Sequence, residues 1–164
     1  MVSTNWNRRL NLEGLLTFSV PEPSHSYAQL YRTGMIEVTQ GNLLAHQYEG
    51  RPTIPSIAYE RYILDYLPFC FQILKDLGAS TPVVVALTLT KTRGLFMGTD
   101  SLRFGFDHGY PIESDTLILP ETVVQDFSTP VSKILKPMFD LVWNACGLPM
   151  SMNFDAGGNW TPRR

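Results

Sequence analysis

Ser26-Tyr-Ala-Gln-Leu-Tyr-Arg-Thr-Gly-Met-Ile-Glu-Val38 alternates side-chain character on both sides of an Arg32-Thr-Gly34 turn. A period of two belongs to a strand, so the stretch reads as a β-hairpin. It sets Tyr27, Gln29 and Tyr31 on one face and Ala28 and Leu30 on the other. Gly34 can take positive φ, whereas Thr33 suits a type I′ turn less well than Asn, which leaves a bulged or longer turn open. The hairpin fixes a sheet-forming domain and names no reaction.

Working outward, residues 12–20 read as a strand closed by Pro21-Glu-Pro-Ser24, and residues 43–48 as a strand before Glu49-Gly-Arg-Pro52. A helix then opens with Ser56 as its N-cap and Glu60 in the first turn, facing the helix dipole. Ile57, Leu64, Leu67, Phe71 and Leu74 keep helical spacing until Gly78. Pro68 should kink this helix or divide it. Residues 83–90 form a β-branched run that predicts a central strand buried on both faces, followed by the Lys91-Thr-Arg-Gly94 turn and a strand at 95–97 pairing back. Residues 103–106, 116–119 and 121–126 are shorter candidates. Ser128-Thr-Pro130 announces a second helix with Pro130 at its first position and Val131, Ile134, Leu135, Met138, Val142 and Cys146 on its apolar face. Pro137 lies inside it. The predicted fold is α+β, an antiparallel or mixed sheet of about five or six strands with two long kinked helices. Residues 1–11 read as a linker or N-terminal arm, 12–150 as a single domain, and 151–164 as an irregular tail.

At 164 residues the chain buries enough surface to fold without disulfides or metal. Its net charge of −2 and pI near 5.9 lack the basic field of a dedicated nucleic-acid binder. Cys70 and Cys146 sit in apolar helical settings and read as buried free thiols. The polar N-terminus carries no signal peptide, and the longest apolar stretch, 82–89, is too short to span a membrane. A cytoplasmic protein with no membrane association is expected.

The motif search is mostly negative. No acid-x-Lys pair supports a restriction-type metal site, and His25, His46 and His108 are scattered. No glycine-rich phosphate loop and no G-x-S-x-G elbow is present. No cofactor is therefore expected. Three local constellations remain as binding candidates. Tyr27, Tyr31, Arg32 and Glu37 surround the hairpin, where Arg32 and Glu37 could pair across strands. Tyr59 with Glu60 and Arg61 lies in the first helical turn, where an anion could be received. Lys91 and Arg93 make a basic turn able to touch phosphate. Phe154 and Trp160 suit docking onto the domain or a partner.

Five phrases together resemble one family: Arg9-Leu-Asn-Leu-Glu-Gly14, Tyr27-Ala-Gln-Leu-Tyr-Arg-Thr-Gly-Met-Ile-Glu37, Ile54-Pro-Ser-Ile-Ala-Tyr-Glu60, Asp140-Leu-Val-Trp-Asn-Ala-Cys-Gly147, and Ser151-Met-Asn-Phe-Asp155 with Gly158-Asn-Trp160. They resemble the C-terminal region of bacterial proteins labelled ATP-binding or DNA-binding, where it follows an N-terminal Schlafen AlbA_2-type domain. The resemblance implies a domain detached from that neighbour and carries over no catalytic residue.

The expectation is a non-enzymatic accessory domain that binds a partner protein, a neighbouring domain or a small ligand, as a homodimer. One rival is a nucleic-acid module acting through Arg32, Lys91, Arg93 and the terminal arginines. Another is a hydrolase built on Asp107, His108 and Glu113.

Overall fold

The computed structural model describes residues 6–20, 26–44, 46–48, 50–99 and 109–162. They belong to two compact units, Met1–Leu43 and Leu44–Arg164.

The first unit is a four-stranded antiparallel meander. Its strands are β1 (Trp6–Leu10), β2 (Gly14–Ser19), β3 (Ser26–Tyr31) and β4 (Ile36–Gln40), in that spatial order. The register sets Leu10 opposite Leu15, Leu15 opposite Leu30 and Leu30 opposite Ile36, an apolar stripe across one face. β1 occupies residues expected in the arm. The hairpin turn is the longer form, with Gly34 at φ +88 donating its N–H to the Tyr31 carbonyl and Tyr31 N–H reaching Met35. Gly14, at φ +150, lies so close to the Leu30 carbonyl that no Cβ fits.

The second unit holds β5 (His46–Tyr48), β6 (Arg51–Ile54), α1 (Ser56–Asp76), β7 (Val83–Val85), β8 (Thr88–Thr90), β9 (Phe96–Met97), β10 (Thr116–Ile118), β11 (Thr122–Val124) and α2 (Val131–Ala145). β5 pairs antiparallel with β6, which pairs parallel with β9; β8 pairs with β10, and β7 with β11. The apolar face of α2 supplies a large share of the core, with Ile134, Leu135, Met138, Phe139, Val142 and Trp143 all buried. Tyr59 of α1 meets Phe139 edge-on at 5.4 Å. A second cluster joins Phe71, Val124 and Ile134.

Several expectations are corrected. Instead of one sheet of five or six strands, the described residues form sheets of four, three, two and two. The 83–90 run breaks into two strands with different partners, and Val84 is 59% exposed, so it is no doubly buried central strand. β9 does not pair back on β8. Both helices run through Pro68 and Pro137 as single elements. Each proline is exposed, where water can take the carbonyl left without its N–H partner. Pro55 and Pro130 occupy the N-cap positions with no side-chain cap. Ser56 Oγ instead donates to the Gly98 carbonyl at 2.6 Å. The candidate strand at 103–106 lies outside the described residues. No helix among them is long and apolar enough to cross a membrane.

Candidate functional site

Strand alternation sets Tyr27, Gln29 and Tyr31 on the sheet face opposite the leucine stripe, and the register brings Glu37 directly across from Gln29. Both tyrosines then lean toward that glutamate. Tyr27 Oη donates to Glu37 Oε1 at 2.9 Å and Tyr31 Oη to Glu37 Oε2 at 2.6 Å, one phenol on each carboxylate oxygen. The Tyr31 phenol is pushed up to about 12, first by its bond to the Glu37 carboxylate and next by burial. Beneath this arch Gln29 is buried. Its Oε1 accepts from Asn11 Nδ2 at 2.8 Å, while Asn11 Oδ1 accepts the Gly14 N–H at 2.8 Å and so fixes the β1–β2 turn. Phe18 stands opposite Tyr27, with the Arg9 guanidinium 5.6 Å from its ring centre. Tyr27, Tyr31 and Glu37 are all half-buried, so the face is partly open to solvent.

Arg32 does not join this cluster. Its Nε donates to the Leu12 carbonyl at 3.1 Å, and the expected Arg32–Glu37 ion pair is replaced by the two phenols. The reason is geometric. Arg32 sits in the turn, where the nearest acceptor is the carbonyl of the neighbouring β1–β2 turn.

The first turns of α1 carry a different arrangement from the one expected. Glu60 is 0% exposed and each of its oxygens accepts two hydrogen bonds. Trp143 Nε1 (2.9 Å) and Ser151 Oγ (2.7 Å) donate to Oε1, and Asn153 Nδ2 (2.9 Å) and Trp160 Nε1 (2.8 Å) to Oε2. Every donor is neutral. Burial pushes the Glu60 carboxyl above its usual range, and the four bonds act against that shift without cancelling it. Residues 151–160, part of the expected irregular tail, supply three of these donors and dock on α1, one of the two settings expected for Trp160. Asp140 Oδ1 accepts the Ser151 N–H, Phe154 bridges to Trp160 as an antiparallel pair, and Arg61 lies 5.3 Å from the Trp160 ring centre. Tyr59 is buried, and its hydroxyl has no hydrogen-bond partner among the described residues. An anion at this helix end would meet an enclosed carboxylate, so the expected anion site is absent. Glu60 is fully enclosed, and its four bonds fasten residues 151–160 and α2 to α1.

The third constellation is a solvated turn. Lys91 takes φ +58, and Arg93 faces Asp115 with Nε–Oδ1 2.9 Å and Nη2–Oδ2 3.3 Å. Thr92 between them is buried and donates from Oγ1 to the Ser114 carbonyl at 2.7 Å. The basic charge at the turn is thus partly neutralised. Asp107 and His108 of the hydrolase trio lie outside the described residues, and Glu113 lines an open, shallow hollow with Tyr110, Asn144 and Gly147. No group of three or more His, Cys, Asp or Glu able to hold a metal occurs among the described residues.

No protein-family model, curated protein or solved structure matches this chain. The site therefore stands on its own geometry. Sequence reasoning placed Tyr27, Tyr31 and Glu37 correctly around one hairpin and missed the donors to Glu60. Both clusters are assembled from short stretches far apart in the chain. Asn11, Gly14, Tyr27, Gln29, Tyr31 and Glu37 build the first; Glu60, Trp143, Ser151, Asn153 and Trp160 build the second. Polar groups interleaved with aromatics in a segment of little periodicity were the available signal.

Proposed function

We propose that the chain is a non-enzymatic accessory domain that recognises a partner protein or neighbouring domain through the tyrosine face of its four-stranded sheet. The observation that carries this reading is the capture of Glu37 by Tyr27 and Tyr31 on an open, half-buried surface. Two phenol donors hold the carboxylate in place without neutralising it. Lone pairs left on its oxygens, flanked by two aromatic rings, suit a lysine or arginine side chain of the partner. By contrast, the buried carboxylate of Glu60 is enclosed by its four donors. The likeness of the five phrases to a region that accompanies an AlbA_2-type domain adds support for an accessory role. The test is a titration with N-acetyl-arginine amide, with N-acetyl-glutamate amide as control, followed by the ring resonances of Tyr27 and Tyr31. Saturable shifts with the cation alone, lost in Glu37→Gln, are expected; unmoved rings would end the proposal.

A second reading, a nucleic-acid module, draws on exposed Lys91 and on Arg9, whose guanidinium lies over Phe18 beside Tyr27. It expects oligonucleotide binding at low salt that weakens in Lys91→Glu and Arg9→Glu. Unchanged anisotropy of single-stranded DNA and RNA probes would remove it.

A further inference from the structure

The two edges of the four-stranded sheet are chemically unlike. β1 carries adjacent arginines, Arg8 and Arg9, the kind of charge that discourages edge pairing. β4, Ile36-Glu-Val-Thr-Gln40, has no lysine, proline or bulge, and its single charge is held by the tyrosines. Among the described residues no strand pairs with its outer side. The Tyr31 N–H to Met35 carbonyl bond fixes which groups face outward. Residues 35, 37 and 39 turn their backbone groups toward β3, leaving those of Ile36, Val38 and Gln40 directed away.

We propose that β4 is a self-association edge. Two copies of the chain pair β4 against β4, antiparallel, about a two-fold axis at Val38, and join two four-stranded sheets into one continuous sheet. The sequence of β4 is complementary to itself in this register. Val38 meets Val38 of the second copy and Ile36 meets Gln40, each with outward-facing backbone groups, so that the central pairs exchange N–H and carbonyl bonds. Glu37 falls opposite Thr39, whose hydroxyl can donate to the carboxylate, and no like charges are opposed. Shifting the axis to Glu37 would oppose two glutamates. The same operation on β1 about Arg8 would oppose two arginines directly, which is destabilising. A symmetric pairing of one patch with itself is the usual form of a homodimer interface. The leucine stripe and the tyrosine face would each run on across the axis. This inference goes beyond the recognition surface proposed above and does not rest on it.

The test uses the full chain in analytical ultracentrifugation with hydrogen exchange read amide by amide. A reversible dimer is expected, in which the Ile36, Val38 and Gln40 amides gain protection with concentration while those of Glu37 and Thr39 are protected at every concentration. Thr39→Glu sets a glutamate opposite Glu37 twice in the dimer and should weaken association about tenfold, whereas Thr39→Lys should tighten it by a comparable factor. Opposite responses separate pairing at this register from a general disturbance of the strand. A chain that stays monomeric, a dimer on which both substitutions act in the same direction, or protection without the alternating pattern would each overturn the proposal. Association is read as mass and cation capture as tyrosine ring shifts, so either can fail while the other stands.

Discussion

Glu37 and Glu60 are both held by neutral hydrogen-bond donors, with no cation bonded to either carboxylate among the described residues, yet one lies open and the other is sealed. Glu37 lies on an open sheet face, and its phenol bonds raise the proton affinity of Tyr31, because ionising that phenol would set two anions side by side. The folded value of about 12 lies above the ordinary 10.0, so the stabilisation is fully present below the unfolded value. It is lost as pH climbs through the folded one. Alkaline titration of phenolate absorbance should show one tyrosine ionising near pH 12, and Glu37→Gln should bring it back toward 10. Tyr59 supplies a second test at this scale. Its hydroxyl is buried without a partner among the described residues, so Tyr59→Phe removes a desolvated group and should raise stability by about 1 kcal/mol in urea denaturation. A loss of stability would mean that the hydroxyl has a partner in solution, such as buried water.

At the scale of elements, the C-terminal segment depends on one side chain of α1. Glu60 gathers donors 83, 91, 93 and 100 residues away, from α2 and from residues 151–160. Glu60→Gln keeps the shape but turns one acceptor oxygen into an N–H₂ group facing two donors. It should cost about 3 kcal/mol, with limited proteolysis shifting to residues 151–162. Cleavage no faster than in the wild type would show that the aromatic contacts alone hold the segment. The helices and the hairpin were legible because their periods of 3.6 and two are local. Phe71, Leu67 and Leu74 in α1, and Ile134, Leu135, Met138 and Val142 in α2, all pack as their spacing predicts. The capping residues were misread because Ser56 found a distant carbonyl, at Gly98, a contact that no local rule supplies. The 83–90 strand was overestimated for a related reason. β-branched composition favours extended backbone but does not say which partners each half will find.

For the whole molecule, burial is concentrated in the second unit around α2, while β5 is exposed along its length. Amides in the middle of α2 should therefore exchange only through global unfolding, and those of β5 through local opening, in a native-state hydrogen-exchange series. Equal protection of the two would contradict this ordering. The charge of −2 sets no strong field around the chain, so the recognition proposed above would fall to a local surface, the tyrosine face. Short-range physics specified an α+β protein, two amphipathic helices, a hairpin with its tyrosines on one side, and a chain without metal or phosphate-loop motifs. Only the tertiary structure decided which carboxylate is sealed and which is open. It also divided the strands of the described residues into four small sheets and left the β4 edge with a single charge, Glu37, already bonded to two tyrosines. Those outcomes depend on groups far apart in the chain competing for the same partners. Glu60 is enclosed because two indoles, a hydroxyl and an amide converge on it, and Glu37 is open because its donors come from the strand beside it.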